Sequence, residues 1–277
     1  MATEPAITGH YTSGDLLARL SAALIDDGAD PDHPTLEALA PYDQFHGRGL
    51  AATEELAGML AISAGDHILD VGSGIGGPAR YFAGRFGCQV TGIDLTAEFC
   101  AVAHHLTGLT GLDDRVTYEE GNALDMPFGD GAFDGAYSMN VSMNIEDKAG
   151  LYREIHRVLR PGAWLALSEL AQGPGSEVDY PTPWALTAEA SFLATLDQTR
   201  ERLQASGFQV ESLRDATEEA LAFGAQARAM VERGEKPTHR AVALIHGDLA
   251  PQAMKNMSSG MTEGRLVPIE VICRKVG

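Results

Sequence analysis

Two hydrophobic periodicities share this chain, one typical of helices and one of buried strands. Residues 14–27 carry apolar side chains at helical spacing, at Leu16, Leu17, Leu20, Leu24 and Ile25. From residue 67 onwards, short apolar runs predict seven strands, at 67–71, 89–93, 115–119, 133–139, 163–169, 208–213 and 267–274. Further helices are predicted at 53–60, 77–86, 96–109, 148–159 and 195–206. This alternation predicts an α/β fold, with right-handed crossovers, a mostly parallel sheet and helices on both faces.

Two long segments interrupt the alternation and predict a cap. Residues 171–194 are rich in Gly and Pro and predict a loop leading into a helix, and residues 216–262 are largely helical. Open α/β folds bind ligands at the carboxyl edge of the strands, close to where both segments leave the sheet. We expect an N-terminal helical cap segment (1–64), a cofactor-binding core (65–170), and the remainder of the core (171–277) with cap insertions at 171–194 and 216–262.

Composition and charge narrow the possible partners. The chain has 277 residues, 44% of them hydrophobic, which suits one large α/β domain with elaborations. It contains no apolar run long enough for a membrane span, and its N-terminus lacks a secretory signal, which together predict a cytoplasmic protein without a membrane partner. The formal net charge of −19 argues against nucleic acid. We expect a small-molecule substrate and a monomer or homodimer.

The three cysteines, Cys88, Cys100 and Cys273, are far apart and form no C-x-x-C pair. They predict buried small hydrophobic residues in a reducing compartment rather than a metal site. No metal cofactor is therefore expected.

A glycine-rich turn follows the first predicted strand. Residues 68–80 read ILDVGSGIGGPAR, with glycines at positions 72, 74 and 76. Such a turn bares the backbone where a strand passes into a helix, which is typical of a nucleoside-binding βαβ unit. The glycines alone fit two cofactors. Gly72, Gly74 and Gly77 also satisfy G-x-G-x-x-G, and Asp94 lies 22 residues after Gly72, where a dinucleotide-binding fold has its ribose-binding acid.

Asp70, near the end of the first strand and two residues before Gly72, favours one of the two cofactors. A carboxylate there repels a pyrophosphate but suits a ligand with an ammonium group and a sulfonium, such as S-adenosylmethionine. The alternative role for Asp70 is to cap the following helix. Asp94 should accept hydrogen bonds from ribose hydroxyls with either cofactor. A short-chain dehydrogenase also needs Tyr-x-x-x-Lys, and no tyrosine here has lysine four residues later.

From about residue 40 onwards the chain resembles class I S-adenosylmethionine-dependent methyltransferases. The resemblance rests on LDVGSGIGGPAR (69–80), VTGIDLT (90–96), GNALDMPFGDGAFD (121–134), NVSMNIEDK (140–148) and EIHRVLRPGAWLAL (154–167), in that order. Within the class it is similar to the group containing sarcosine/dimethylglycine and phosphoethanolamine N-methyltransferases. The resemblance implies a Rossmann-like fold with a seven-stranded sheet and a helical cap, and S-adenosylmethionine as cofactor.

The resemblance also implies which residues bind this cofactor. The glycine turn should approach the methionine part, Asp94 the ribose, and the residues at 95 and 122–123 the adenine. Asn122 stands where the family more often has Asp, and Asn140 stands where it commonly has His or another polar residue near the sulfonium. The expected cofactor-binding residues are Gln44, Asp70, Gly72, Ser73, Gly74, Asp94, Leu95, Asn122, Ala123 and Asn140.

The segment PYDQFHGRG (41–49) forms a polar and aromatic cluster just upstream of the first strand. We expect it to close over the cofactor, with Tyr42 and His46 as candidate catalytic residues and Phe45 excluding water. His46 is the candidate base if the acceptor needs one. The alternative is a loop packed against the sheet, with Arg48 paired to a surface acid.

Three functions are compatible with these features. The first expectation is N-methylation of a small-molecule amine, for which Tyr180 and Trp184 of the first insertion offer cation–π faces. The second is O- or C-methylation of a natural-product or quinone-like acceptor. The third is a methyltransferase fold that binds the cofactor without transferring a methyl group.

Overall fold

A seven-stranded sheet forms the centre of the computed structural model, which describes residues 9–12 and 14–276. The strand order is β3-β2-β1-β4-β5-β7-β6. β7 is antiparallel to both neighbours, and the other pairings are parallel. The predicted mostly parallel sheet is confirmed. The strands are β1 (His67–Val71), β2 (Gln89–Asp94), β3 (Val116–Glu120), β4 (Phe133–Met139), β5 (Leu159–Gln172), β6 (Phe208–Asp215) and β7 (Leu266–Lys275).

Ten α-helices are described around this sheet, several with side-chain caps. Thr35 accepts a hydrogen bond from the backbone of Ala38 at 3.2 Å and starts a helix that the sequence pattern does not predict. Thr195 and Gln198 form a reciprocal capping box. The helices are α1 (Leu16–Asp26), α2 (Leu36–Asp43), α3 (Leu50–Gly58), α4 (Gly77–Phe86), α5 (Ala97–Leu109), α6 (Lys148–Val158), α7 (Leu196–Ala205), α8 (Thr217–Glu232), α9 (Ala241–His246) and α10 (Ala250–Thr262).

Apolar clusters cover both faces of the sheet. On one face, Phe82 of α4 stacks on Tyr137 of β4 with ring centroids 4.5 Å apart. On the other, Leu151 and Ile155 of α6 are buried against β4, β5 and β7. Burial on both faces explains why these strands read as short continuous apolar runs in the sequence.

Two further clusters join the cap to the core. The first brings Leu20 of α1 and Leu39 of α2 against Phe99 of α5. The second gathers Met143, Trp184 and Met261 beneath the insertions. β5 extends to Gln172, three residues beyond the predicted end of the strand, so the first insertion leaves the sheet later than expected.

Cys88, Cys100 and Cys273 are free and buried, as predicted. Burial raises the pKa of each thiol, that of Cys88 to about 11. Within the described ranges, no helix has both the length and the apolar character needed to cross a membrane.

Candidate active site

The glycine turn lies at the carboxyl edge of the sheet and lines a large cavity. Gly72, Gly74 and Gly76 have φ values of 78°, 52° and 81°, in the left-handed region where glycine is favoured. The backbone N–H of Gly74 donates to Asp94 Oδ2 at 2.8 Å. The turn is thereby fixed to the end of β2, and its open face is turned to the cavity.

Gly77 has a different role. A Cβ at this position would overlap the backbone of Asp43, so α4 can pack closely on α2 because the residue is glycine. The contact is reinforced by an ion pair between Arg80 and Asp43, 2.9 Å long and fully buried. Packing therefore accounts for the third glycine of the G-x-G-x-x-G pattern without a pyrophosphate.

Asp70 and Asp94 place two buried carboxyl groups beside the turn. Asp70 Oδ2 and Ser73 Oγ have no hydrogen-bond partner in the part of the chain that the structure describes. The pKa of Asp70 is raised to about 8, mainly by burial; the Tyr137 hydroxyl opposes this rise and the Asp94 carboxylate contributes to it. Burial also raises the pKa of Asp94, against hydrogen bonds from Thr96 and Gly74. A cation bound here would relieve both groups.

The adenine-side residues predicted from the sequence lie on the same cavity. Leu95, Asn122 and Ala123 all line it, next to Asp94. The Asn122 side-chain oxygen accepts a hydrogen bond from the backbone of Leu124 at 2.8 Å, which holds the loop after β3.

Residues 45–48 and Asn140 form a wall of the cavity that includes strained backbone. Arg48 (φ 64°) and Asn140 (φ 58°) are the non-glycine residues with positive φ among those described, and both line the cavity. Gly47 lies between them, its Cβ position 4.0 Å from Asn140 Nδ2. Backbone strain of this kind concentrates at ligand-binding sites.

His46 lines the cavity, but neighbours occupy its ring nitrogens. Nε2 lies 3.0 Å from Thr53 Oγ1 and 3.3 Å from Gln44 Oε1, and Nδ1 lies 3.2 Å from the Gly47 carbonyl oxygen. Burial lowers the pKa of His46 to about 3. The imidazole is therefore neutral at pH 7, and its contacts favour a role in holding the segment.

The structure does not bring Tyr42 or Gln44 to the cavity, contrary to the roles expected for them. Tyr42 belongs to α2, and its hydroxyl donates to Asp27 at 2.7 Å while Arg240 stacks on its ring. The Gln44 side chain is buried, and its amide bonds with Asp43 and Thr53. Tyr42 lies in α2, which turns its side chain into the packing, and Gln44 follows this helix as its buried C-cap.

The remainder of the cavity, about 1110 Å³ in all, lies under the cap. Trp184 lines it as expected, with its Nε1 donating to Ser191 Oγ at 2.9 Å. Tyr180 is not part of the wall. The other walls are largely apolar and come from the cap helices, the loop after β4, the end of β5 and the first insertion; they include Met143, Leu170, Phe192, Leu221, Phe223, Met254 and Met257.

An ion network, which sequence reasoning missed, borders the cavity through Arg48 and Glu270. Arg48 pairs with Glu270 of β7 and with Glu55, each at 2.6 Å. Arg214 pairs with the same two carboxylates and with Glu219. The partner of Arg48 is thus a buried acid as well as the half-buried Glu55. The only hint of this network in the sequence was Glu270, the single acid in the apolar run VPIEVICR (267–274).

Comparisons with known proteins agree with this arrangement. Residues 69–167 match the family described as a methyltransferase domain. The O-methyltransferase resE of Aspergillus sclerotiorum is 34% identical over 59% of this chain and 62% of its own. The 27-O-demethylrifamycin SV methyltransferase of Amycolatopsis mediterranei is 32% identical over 60% of this chain and 62% of its own. The match thus spans less than two thirds of either relative.

Solved structures share the fold at lower identity. Phosphoethanolamine N-methyltransferase 2 of Haemonchus contortus superposes with a TM-score of 0.72 at 21% identity, over 95% of this chain and 60% of that one. Geranyl diphosphate C-methyltransferase of Streptomyces coelicolor gives 0.71 at 20% identity, over 99% and 98%. The glycine turn and the two strand-end acids thus lie in a methyltransferase domain at residues 69–167, and the chain has the Rossmann-like fold of class I methyltransferases.

Proposed function

We propose that this protein transfers a methyl group from S-adenosylmethionine to a hydroxyl oxygen of a bulky, mostly apolar small molecule. The observation that carries the proposal is the continuity of one cavity. The same cavity of about 1110 Å³ holds the acidic glycine turn at one end and the apolar chamber under the cap at the other.

The residues at the turn fit the cofactor. Asp70 offers a buried carboxyl oxygen without a partner among the described residues, as an ammonium group requires. Asp94, at the end of β2, is placed to accept hydrogen bonds from ribose hydroxyls. When bound, S-adenosylmethionine supplies a methyl group already activated by the sulfonium. The protein's contribution is to orient donor and acceptor and to exclude water.

The size and character of the chamber support a bulky acceptor. Sites for one small molecule commonly enclose roughly 300–1,000 Å³, so this cavity has room for a cofactor and a second molecule. Trp184, Met257 and Leu221 are among the apolar residues on its walls. Burial of an apolar acceptor against them is favourable by about 25 cal/mol for each Å² removed from water.

The charged groups of the chamber favour a hydroxyl over an amine, which was the first expectation from the sequence. A cationic amine buried in the chamber needs a free carboxylate there. Glu146 and Asp147 also line the cavity but are exposed, and the two buried wall carboxylates beyond the glycine turn are engaged. Glu270 pairs with Arg48 and Arg214, and Glu169 accepts backbone hydrogen bonds from the loop after β4 at 3.1–3.3 Å. Neutral imidazoles, which can accept a hydroxyl proton, also line the cavity.

A matched acceptor panel tests the proposal. The purified protein is incubated with labelled S-adenosylmethionine and with 4-alkylphenols or 4-alkylanilines of increasing chain length, with sarcosine and ethanolamine as small amines. We expect label on the phenol oxygen and a lower KM for longer chains. Transfer to the amines alone would refute the hydroxyl acceptor and favour N-methylation. Calorimetric binding of S-adenosylmethionine without turnover on any acceptor would favour a protein that only binds the cofactor.

A further inference from the structure

His239 lies in the loop between α8 and α9, and its imidazole forms part of the cavity wall. The ring packs directly over Gly49, where an added Cβ would lie 2.8 Å from Nδ1. On its other side, the ring of Phe223 of α8 has its centroid 6.4 Å away. Gly49 lies two residues after Gly47, which faces Asn140. His239 therefore packs on the segment that borders the expected position of the sulfonium.

The ring nitrogens of His239 are free, unlike those of His46. Nδ1 is shielded from solvent, and neither nitrogen has a hydrogen-bond partner in the described ranges 9–12 and 14–276. An unpartnered buried polar atom is rare in native structures, because its desolvation costs about 1–3 kcal/mol. Because Nδ1 packs against Gly49, Nε2 is the nitrogen open to a hydroxyl group of a bound molecule.

His239 is also in the protonation state that a base needs. Burial lowers its pKa to about 4, so the ring is neutral at pH 7 and one nitrogen carries a lone pair. Arg48 and its partner Glu270 line the same cavity and neutralise each other in part. A neutral imidazole within hydrogen-bond reach can take a proton that leaves together with the bond-forming step.

We propose that His239 contacts the acceptor hydroxyl and is the base for methyl transfer, which rests on the hydroxyl acceptor proposed above. A lone pair of the hydroxyl oxygen forms the new O–C bond, and the S–C bond breaks with its electron pair remaining on sulfur. The hydroxyl proton passes to the free ring nitrogen of His239. The imidazolium then releases that proton to solvent when the product leaves.

The test uses His239→Gln in the full chain, with His33→Gln as a matched control. His33 is exposed, lies in the link between α1 and α2, and is not part of the cavity wall. Ring-substituted 4-alkylphenols of equal bulk serve as acceptors, with pKa values from below the assay pH up to about 10. We expect His239→Gln to lower kcat about 100-fold or more for the weakly acidic phenols and little for those already ionised. KM and the calorimetric Kd for S-adenosylmethionine should stay within about twofold of wild type, and His33→Gln should match wild type throughout.

A second variant distinguishes the loss of a base from misfolding. His239→Ala leaves space for a small base, so added imidazole should restore part of kcat with the weakly acidic phenols. A loss of kcat that is equal for all phenols, with no rescue by imidazole, would refute the base and leave the proposed function standing. Transfer by wild type to anilines alone would refute both, since a neutral amine needs no base.

Discussion

Replacing Asp70 by asparagine should stabilise the free protein and weaken its binding of S-adenosylmethionine. The change keeps the shape of the side chain and removes its charge. Burial raises the pKa of the Asp70 carboxyl to about 8 from its usual 3.8. At pH 7 the folded protein therefore holds this carboxyl mostly protonated, whereas the unfolded chain holds it ionised.

The size of the effect follows from that difference. Each pKa unit corresponds to about 1.4 kcal/mol, so between pH 3.8 and pH 7 the native state loses up to about 4 kcal/mol of stability relative to the unfolded chain. Because the folded pKa is raised, the penalty is absent below about pH 4, grows as pH rises and is complete above about pH 8. Asp70→Asn removes it, so the variant should gain most over wild type at pH 8 and nothing at pH 4.

Cofactor binding should show the opposite effect. In the binding mode proposed above, the ammonium group binds the ionised carboxyl, so the wild-type Kd should fall about tenfold between pH 6 and pH 7 as Asp70 releases its proton. His46 and His239, with pKa values near 3 and 4, do not titrate in this range. The asparagine variant should bind more weakly, with a Kd that changes little over the same range.

Urea unfolding of the free protein at pH 4, 6 and 8 measures the difference in stability between wild type and Asp70→Asn. Titration calorimetry in buffers of different ionisation enthalpy measures the Kd and the released proton. Asp113→Asn, on an exposed turn, makes the same charge change at the surface and should behave as wild type. The reasoning fails if Asp70→Asn is less stable than wild type at pH 8, or if the wild-type Kd is constant between pH 6 and pH 7.

Three further variants test other parts of the structure. Arg80→Met strands the buried Asp43 carboxylate and should cost about 3–5 kcal/mol in urea unfolding, most of which Asp43→Leu in the same chain should recover. Gly49→Ala places a Cβ against the imidazole above it at φ 53° and should lose about 1–3 kcal/mol and much of kcat, whereas Gly58→Ala, in open space, should be neutral. Met257→Trp narrows the chamber and should raise KM about tenfold for the longest alkylphenols without changing the cofactor Kd. A stable Arg80→Met, equal losses for the two glycines, or a length-independent KM would each contradict the structure.

The residues proposed to hold the cofactor could be placed at one edge of the sheet from the sequence alone, because each belongs to a short local motif. Asp70 and Asp94 each follow an apolar run, and parallel strands bring their carboxyl ends to one edge. The glycine turn adds a φ requirement that only a few residues meet. Chain order therefore carried enough information to bring these groups together.

The acceptor half could not be predicted because it depends on contacts between distant segments. His239 sits in a loop without periodicity, and its neighbour Gly49 is far away in the chain. Tyr42 was misjudged because Pro41 obscured the helical spacing of 36–43, in which Tyr42 is buried together with Leu39. Read as a helix, the segment would have placed this tyrosine in the interior.

The position of β7 bears on how this protein is synthesised. β7 lies between β5 and β6 and bonds with both, yet its residues, 266–275, are translated after every other strand described. Until they leave the ribosome, β5 and β6 each present an open edge, which is a template for pairing with other chains. The cap helices α8–α10 are made in this interval, before the strand that carries Glu270. The nascent chain therefore has to be shielded from aggregation until its last strand is inserted, and a chain stalled before residue 266 should depend on chaperones.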